Sequence, residues 1–394
     1  MVDLSYGRVA LDPAPAGLSR RGELADRTRG AAEAGRGPPS APAQPGDPST
    51  KIRSVLVYSV EEISGDGLIK LPFVAGVRAA FPNAHFAWCA ATGNCVYDTW
   101  LKPVVCGLVD EMVLDGRPGL SPWDLVAPGR PLGRRRFDLV IDTQSNVRRS
   151  LSMRRTARTF ISPSADFLFS ARRPDYWPLA MMDRMETLLK LAGGESAALR
   201  PVTLADPKVR AQAAALLPAG RTYVGFAPGA GGVERRYPLD RYIELARRQH
   251  ARGRTPVFLL GPAERDYVEP IRTGAPFALL PGESGAGSAA GGPLLTIALA
   301  GRLAAAVAAD AGPGHMLAAG GVRLVSLFRE TRKALKFRPA APRVEVLVAE
   351  DYGDKHIGLI PLEDVDRSLE RLLASIGEPV RILAAAETPF SEPL

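Results

Sequence analysis

The chain has 394 residues, 46% of them hydrophobic and 23% charged, with a formal net charge of +8. This is ordinary soluble composition with enough length for two domains with full cores, and it excludes the fibrous and membrane classes. Cys89, Cys95 and Cys106 form no CxxC pair and the four histidines are scattered at positions 85, 250, 315 and 356, so neither a disulfide framework nor a zinc site is supported.

Residues 1–50 are rich in Ala, Pro, Gly and Arg, with too few large apolar side chains to offset the entropy of ordering, which predicts a disordered arm. No apolar core follows a basic start, and Arg302 interrupts the best apolar run, so the pattern points to a cytoplasmic protein without a membrane span. From Ser54, VLVYSV reads as a strand, EEISGDG as a loop, LIKLPFVAGVRAAFP as a helix ending before Pro82, and HFAWCAA as the next strand of a parallel sheet. GRPGLSPWDLVAPGRPLG reads as an irregular surface loop. FDLVIDTQSN follows as a strand that delivers Asp142, Gln144 and Asn146 to the edge where open α/β sheets bind ligands. A helix over 179–191 ends at Gly193-Gly194, and a linker is expected near 195–205. The second half repeats the style, with strand TYVGFAP, loop PGAGGVERRYP, helix LDRYIELARRQHARG, strand TPVFLLG and loop PAERD. GESGAGSAAGG, between Pro281 and Pro293, reads as a flexible insertion.

Two stretches carry chemistry. In ADAGPGH (309–315) an apolar run, Leu303 to Ala308, enters a tight loop and an Ala-rich helical segment, Met316 to Ala319, leaves it. A helix start reached through glycines exposes unpaired N–H groups at the positive end of the helix dipole, which suits a diphosphate, and Asp310 adds a carboxylate for sugar hydroxyls. On the residues alone, an Asp310 that merely caps the helix is equally open. The second stretch, residues 130–173, holds eleven arginines against three acids. Such a concentration attracts anionic lipid or a phosphorylated acceptor unless it is only a solvated face, and the absence of interleaved aromatics argues against nucleic acid. Arg134, Arg135 and Arg136 are its densest run and the expected contact with a membrane.

PGAGGVERRYPLDRYIELA resembles the PGA…KRWP…RFAELA segment of the ADP-heptose:lipopolysaccharide heptosyltransferases, glycosyltransferase family nine. LLGPAE and ADAGPGHMLAAGGVRLVSLF are similar to that family's LLGGPAE and NDTGPMHLAAALGVPVVALF. SGDGLIKLPFVAGVRAAFP and FDLVIDTQSNVRRS resemble its GD…TLP…LR..FP and YDLVIDLQG.LRS segments, in the same order, and the likeness covers most of 54–340. The resemblance implies an α/β, GT-B fold: two Rossmann-like domains with parallel sheets facing across a cleft. The expected division is a disordered arm at 1–50, an acceptor domain at 51–200, a nucleotide-sugar donor domain at 201–376 and a tail at 377–394. It implies metal-independent, inverting transfer of a sugar, heptose first, from a nucleotide diphosphate to a cell-surface glycolipid or glycan at the inner face of the membrane, with no cofactor beyond the donor substrate.

Residue by residue, the resemblance makes Asp66 the general base on the acceptor hydroxyl, between Gly65 and Gly67, with Asp142, Gln144 and Asn146 on the acceptor side. It places Gly229, Arg235, Arg236, Glu264, Asp310, Gly312, Pro313, Gly314 and His315 around the donor, Arg235 standing where the family has a Lys that neutralises the leaving diphosphate. Departures are Ala311 for the family's Thr, Arg329 for a Gly beside the nucleotide, and the acidic pair Glu61-Glu62 ahead of Asp66. Asp364-Val-Asp366 superficially matches a metal-binding DxD but reads as a helix start, where acids favour the dipole. A sugar-nucleotide epimerase of the same fold and a non-catalytic glycan-binding or assembly protein stand as alternative readings.

Overall fold

The computed structural model describes residues 52–114, 117–126, 132–133, 135–204, 206–283 and 292–376. The expected arm and tail, Arg134 and most of the Gly-rich insertion (284–291) lie outside these residues.

The strands are β1 (Ser54–Ser59), β2 (His85–Ala90), β3 (Glu111–Val113), β4 (Phe137–Asp142), β5 (Ala157–Ile161), β6 (Tyr223–Ala227), β7 (Thr255–Phe258), β8 (Ala305–Ala309), β9 (Arg323–Phe328) and β10 (Val344–Val348). The α-helices are α1 (Ser64–Ala80), α2 (Lys102–Val105), α3 (Val147–Arg154), α4 (Met181–Gly193), α5 (Pro207–Leu216), α6 (Leu239–Ala251), α7 (Val268–Gly274), α8 (Gly292–Ala300), α9 (Gly312–Ala319), α10 (Thr331–Phe337) and α11 (Leu362–Ala374). They build two five-stranded sheets, ordered β3-β2-β1-β4-β5 and β10-β9-β8-β6-β7. Every pairing within them is parallel. Helices cover both faces, so the central strands read as unbroken apolar runs: Val55 to Tyr58 and Ala305 to Ala308 are fully buried.

In each sheet the strand order reverses once, between β1 and β4 in the first and between β6 and β8 in the second. Open α/β sheets bind ligands in the crevice outside the carboxyl ends of the strands at such a reversal. The loops expected to carry chemistry follow β1 and β4, β6 and β8. The two reversals also meet, because α1 packs on α9. Met316 and Ala319 of α9, with Ile297 of α8, join the hydrophobic cluster of the first sheet.

Three expectations change. The predicted loop EEISGDG is only half loop: Ser64 to Gly67 form the first turn of α1. Glycine is needed there for contact, since a Cβ on Gly67 would lie 2.3 Å from Val96 Cγ2. Part of the basic run is woven into the first sheet as α3 and β5, and part of the surface loop before it coils into a 3-10 turn, Pro122–Leu125, capped by Ser121. Asp364 and Asp366 do lie in the first turns of α11, where Arg367 and Tyr352 hold Asp364 while Arg252 and Arg248 hold Asp366.

Candidate functional site

The site is assembled where the first turns of α1 and α9 touch. Gly312 lies against Ser64, with 3.4 Å between the Ser64 Cβ and the point a Gly312 Cβ would occupy, and a Cβ on Gly65 would lie 3.1 Å from His315 Cδ2. Two glycine-bearing helix starts therefore approach closely enough for Asp66, half-buried in the first turn of α1, to share a cleft with the Asp310 loop. His315 is 8% exposed and burial depresses its imidazole to about 4, so it is neutral at ordinary pH and its ring closes the contact.

Asp310 directly follows β8 with its N–H donated to the Leu327 carbonyl, and it does not cap α9. The N-cap is Ala311, in extended backbone and with no side-chain cap, and Pro313 in the first turn has no N–H to offer. Gly314 donates its N–H to the Ala311 carbonyl at 3.0 Å, so of the first turn it is the Gly312 N–H, at the positive end of the helix, that is left to an anion. Burial raises the Asp310 carboxyl above the usual range, offset by the charges of Arg235 and Lys333. Arg235 also lies 3.7 Å from its neighbour Glu234. Arg236 instead donates to the Ala230 carbonyl at 3.3 Å. Gly229 permits Glu264 to lie against the loop after β6, since a Cβ there would sit 2.8 Å from the Glu264 carboxyl carbon. Glu264 itself is buried and turned back onto the Gly261 N–H at 2.9 Å, so it shapes the donor-side loop. Arg329 is turned away to the Lys355 carbonyl at 2.9 Å.

On the acceptor side the expected residues divide. Gln144 reaches Ser59 Oγ at the end of β1 and is half-exposed at the edge. Asn146 caps α3 through the Arg149 N–H. Asp142 is fully buried, accepting from Gln144 N at 2.8 Å, Ser150 Oγ at 2.5 Å and Ser162 Oγ at 2.8 Å; burial, partly offset by these bonds, raises it to about 6. It anchors β4 to α3 and β5 from inside, out of reach of an acceptor.

Sequence reasoning noted Glu62 ahead of Asp66 but missed its buried partner. Glu62, 1% exposed, pairs with Lys70 at 2.8 Å, and Lys70 also donates to Ser59 Oγ at 3.2 Å. Burial raises the Glu62 carboxyl, Lys70 lowers it, and its Oε2 has no partner among the described residues. The available signal was Lys70 itself, one charge inside the apolar run LIKLPF and one helical turn beyond Asp66. The membrane expectation also changes: Arg135 binds Glu111 with both terminal nitrogens at 2.6 Å and stacks on Phe137, and Arg134 lies outside the described residues. Arg136, Arg148 and Arg154 remain exposed.

Two helix-covered parallel sheets meeting across a cleft at their order reversals define the GT-B architecture. Residues 126–357 match the model of glycosyltransferase family 9 (heptosyltransferase), and this chain belongs to that family. Lipopolysaccharide heptosyltransferase 1 of Pseudomonas aeruginosa is 27% identical over 305 residues, 73% of this chain and 81% of that protein. A glycosyltransferase family 9 structure from Veillonella parvula matches with a TM-score of 0.61 at 20% identity, covering 82% of this chain and 98% of that one. The E. coli heptosyltransferase WaaC with ADP matches at 0.55 and 17% identity, over 82% and 100%. Among the described residues no helix is long and apolar enough to cross a membrane.

Proposed function

We propose that this glycosyltransferase moves heptose from ADP-heptose, with inversion, to an anionic cell-surface glycolipid or glycan at the cytoplasmic face of the inner membrane. The observation that carries the reading is the contact of the two helix starts, which brings a carboxylate on α1 to the open N-terminus of α9. Asp66 takes the proton of the acceptor hydroxyl as its oxygen attacks the anomeric carbon from the side opposite the leaving group. The anomeric C–O bond breaks, and ADP departs with its new charge met by the positive end of α9, through the Gly312 N–H, and by Arg235. These groups do the neutralising, so the reading calls for no metal. Asp310 holds hydroxyls of the transferred sugar. Exposed Arg136, Arg148 and Arg154 replace the Arg134 to Arg136 run as the face toward anionic lipid.

The test separates the two carboxylates. Asp66→Asn keeps the shape and removes the base, so turnover falls roughly a hundredfold or more while ADP-heptose affinity, read by calorimetry, is unchanged. Asp310→Ala weakens donor binding in the ground state. Wild-type turnover in Asp66→Asn refutes the base, and donor interconversion without an acceptor supports the epimerase.

A further inference from the structure

The 3-10 turn Pro122–Leu125 takes no part in the proposed transfer, yet it holds two apolar side chains out in water. Trp123 is 70% exposed and Val126, which closes the turn, 67%. Side chains three residues apart eclipse in a 3-10 turn, and the Val126 N–H donates to the Trp123 carbonyl at 3.1 Å, so the two present one apolar face. Of the four tryptophans only Trp123 is exposed.

The backbone beneath that face is fixed from several sides. Asp124 is turned inward and accepts from the Gly119 N–H at 2.9 Å and the Ser121 N–H at 3.2 Å. The Tyr58 hydroxyl, on β1, donates to the Pro118 carbonyl at 3.1 Å. Arg148 in the first turn of α3 donates to the Leu120 carbonyl at 3.4 Å. Arg155, two helical turns further on, donates to the Asp124 carbonyl at 3.3 Å and to that of Leu125. The exposed pair is therefore part of a fixed surface, and leaving it in water forgoes the free energy that burial would recover.

The charge beside it is of one sign. Arg148 and Arg155 engage backbone carbonyls, which leave a guanidinium's charge unneutralised, and Arg154 between them is exposed. None of the three has a carboxylate within ion-pair distance among the described residues. An indole beside guanidiniums suits a membrane interface, where the ring sits at headgroup level and the cations meet lipid phosphate.

We propose that Trp123 and Val126 insert into the interfacial layer of an anionic bilayer, with Arg148, Arg154 and Arg155 on its phosphates. This rests on the lipid-facing reading of α3 and adds to it an anchor that salt does not screen. Because α3 follows the carboxyl end of β4 and Tyr58 belongs to β1, the anchor is tied to the two strands that lead to Gln144 and Asp66. Docked this way, the chain meets a lipid-borne acceptor on the acceptor side of its cleft.

The test is binding of the full chain to vesicles of phosphatidylglycerol and phosphatidylcholine at low and high salt, with brominated lipid to quench tryptophan emission. Wild type is expected to bind, to be quenched, and to keep part of its binding at high salt. Trp123→Ser/Val126→Ser should melt as wild type does, lose the quenching and bind about tenfold more weakly or worse at both salt concentrations. Arg136→Gln/Arg154→Gln, which leaves the turn untouched, should lose affinity mainly at low salt. An apolar double variant that binds like wild type, or wild-type binding abolished by high salt, overturns the anchor and leaves the arginine face standing. Equal binding to vesicles of phosphatidylcholine alone, with quenching, keeps the anchor and defeats the anionic-lipid reading. A wild type that binds no vesicle overturns both.

Discussion

The two order reversals of this molecule use the same strand–loop–helix plan and furnish it in opposite ways. After β1 the loop is filled: Glu62 and Lys70 form a buried ion pair, Tyr97 donates to the Gly67 carbonyl at 2.7 Å, and Gly67 is pressed against Val96. After β8 the loop is emptier: the Ala311 side chain caps nothing, Pro313 donates nothing, and only the Gly314 N–H is engaged, by the Ala311 carbonyl. The difference matches the roles proposed for the two sides. A general base must be held in one place, which takes packed side chains, whereas a diphosphate is held by backbone N–H groups that need only be unoccupied.

The sharpest way to break this contrast is to empty the filled side. Lys70→Met leaves Glu62 as a buried carboxyl without its partner, and a loss of about 3–5 kcal/mol in urea unfolding is expected. Glu62→Leu/Lys70→Met together should recover most of it. A cost near zero for the single change would mean that the pair is solvated. The seam between the two sides comes next. The His315 imidazole titrates near about 4 in the fold and near its usual 6.5 when unfolded, so between these values the unfolded chain holds more protons. Stability from this residue is present above about pH 6.5 and declines as pH falls toward 4, by roughly 3 kcal/mol in total. Asp142, raised to about 6, works in the other direction: the fold prefers its protonated form, and its contribution fades as pH rises through about 6. His315→Leu should therefore flatten the acid-side loss seen in thermal melts between pH 6.5 and 4, and an unchanged slope would remove His315 from the seam. The smallest effect tests the open side. Ala311 has the extended backbone that an N-cap adopts, so Ala311→Ser should raise unliganded stability by about 1 kcal/mol. No gain would mean that the end of α9 is already satisfied.

The strands around both reversals were legible because each is a short, nearly continuous apolar run, and a parallel sheet covered on both faces demands that pattern. The ADAGPGH turn was legible for the same reason, and the structure settles its open alternative by placing Ala311, not Asp310, at the cap. Asp142 was misread: at a strand end it looks ready for a ligand, yet Ser150 and Ser162, 8 and 20 residues onward, close over it. The arginine run misled for a like reason, since Glu111, far upstream in the chain, engages Arg135.

Local pattern by itself determined the alternation of strands and helices and the glycine-led helix starts, since those follow from side-chain periodicity and backbone freedom over a few residues. Only the tertiary structure decided that Ser64 would meet Gly312 and that Lys70 would turn inward to Glu62. The first contact depends on how two separately folded sheets pack, and the second on a buried carboxylate that receives the charge once packing has removed its water.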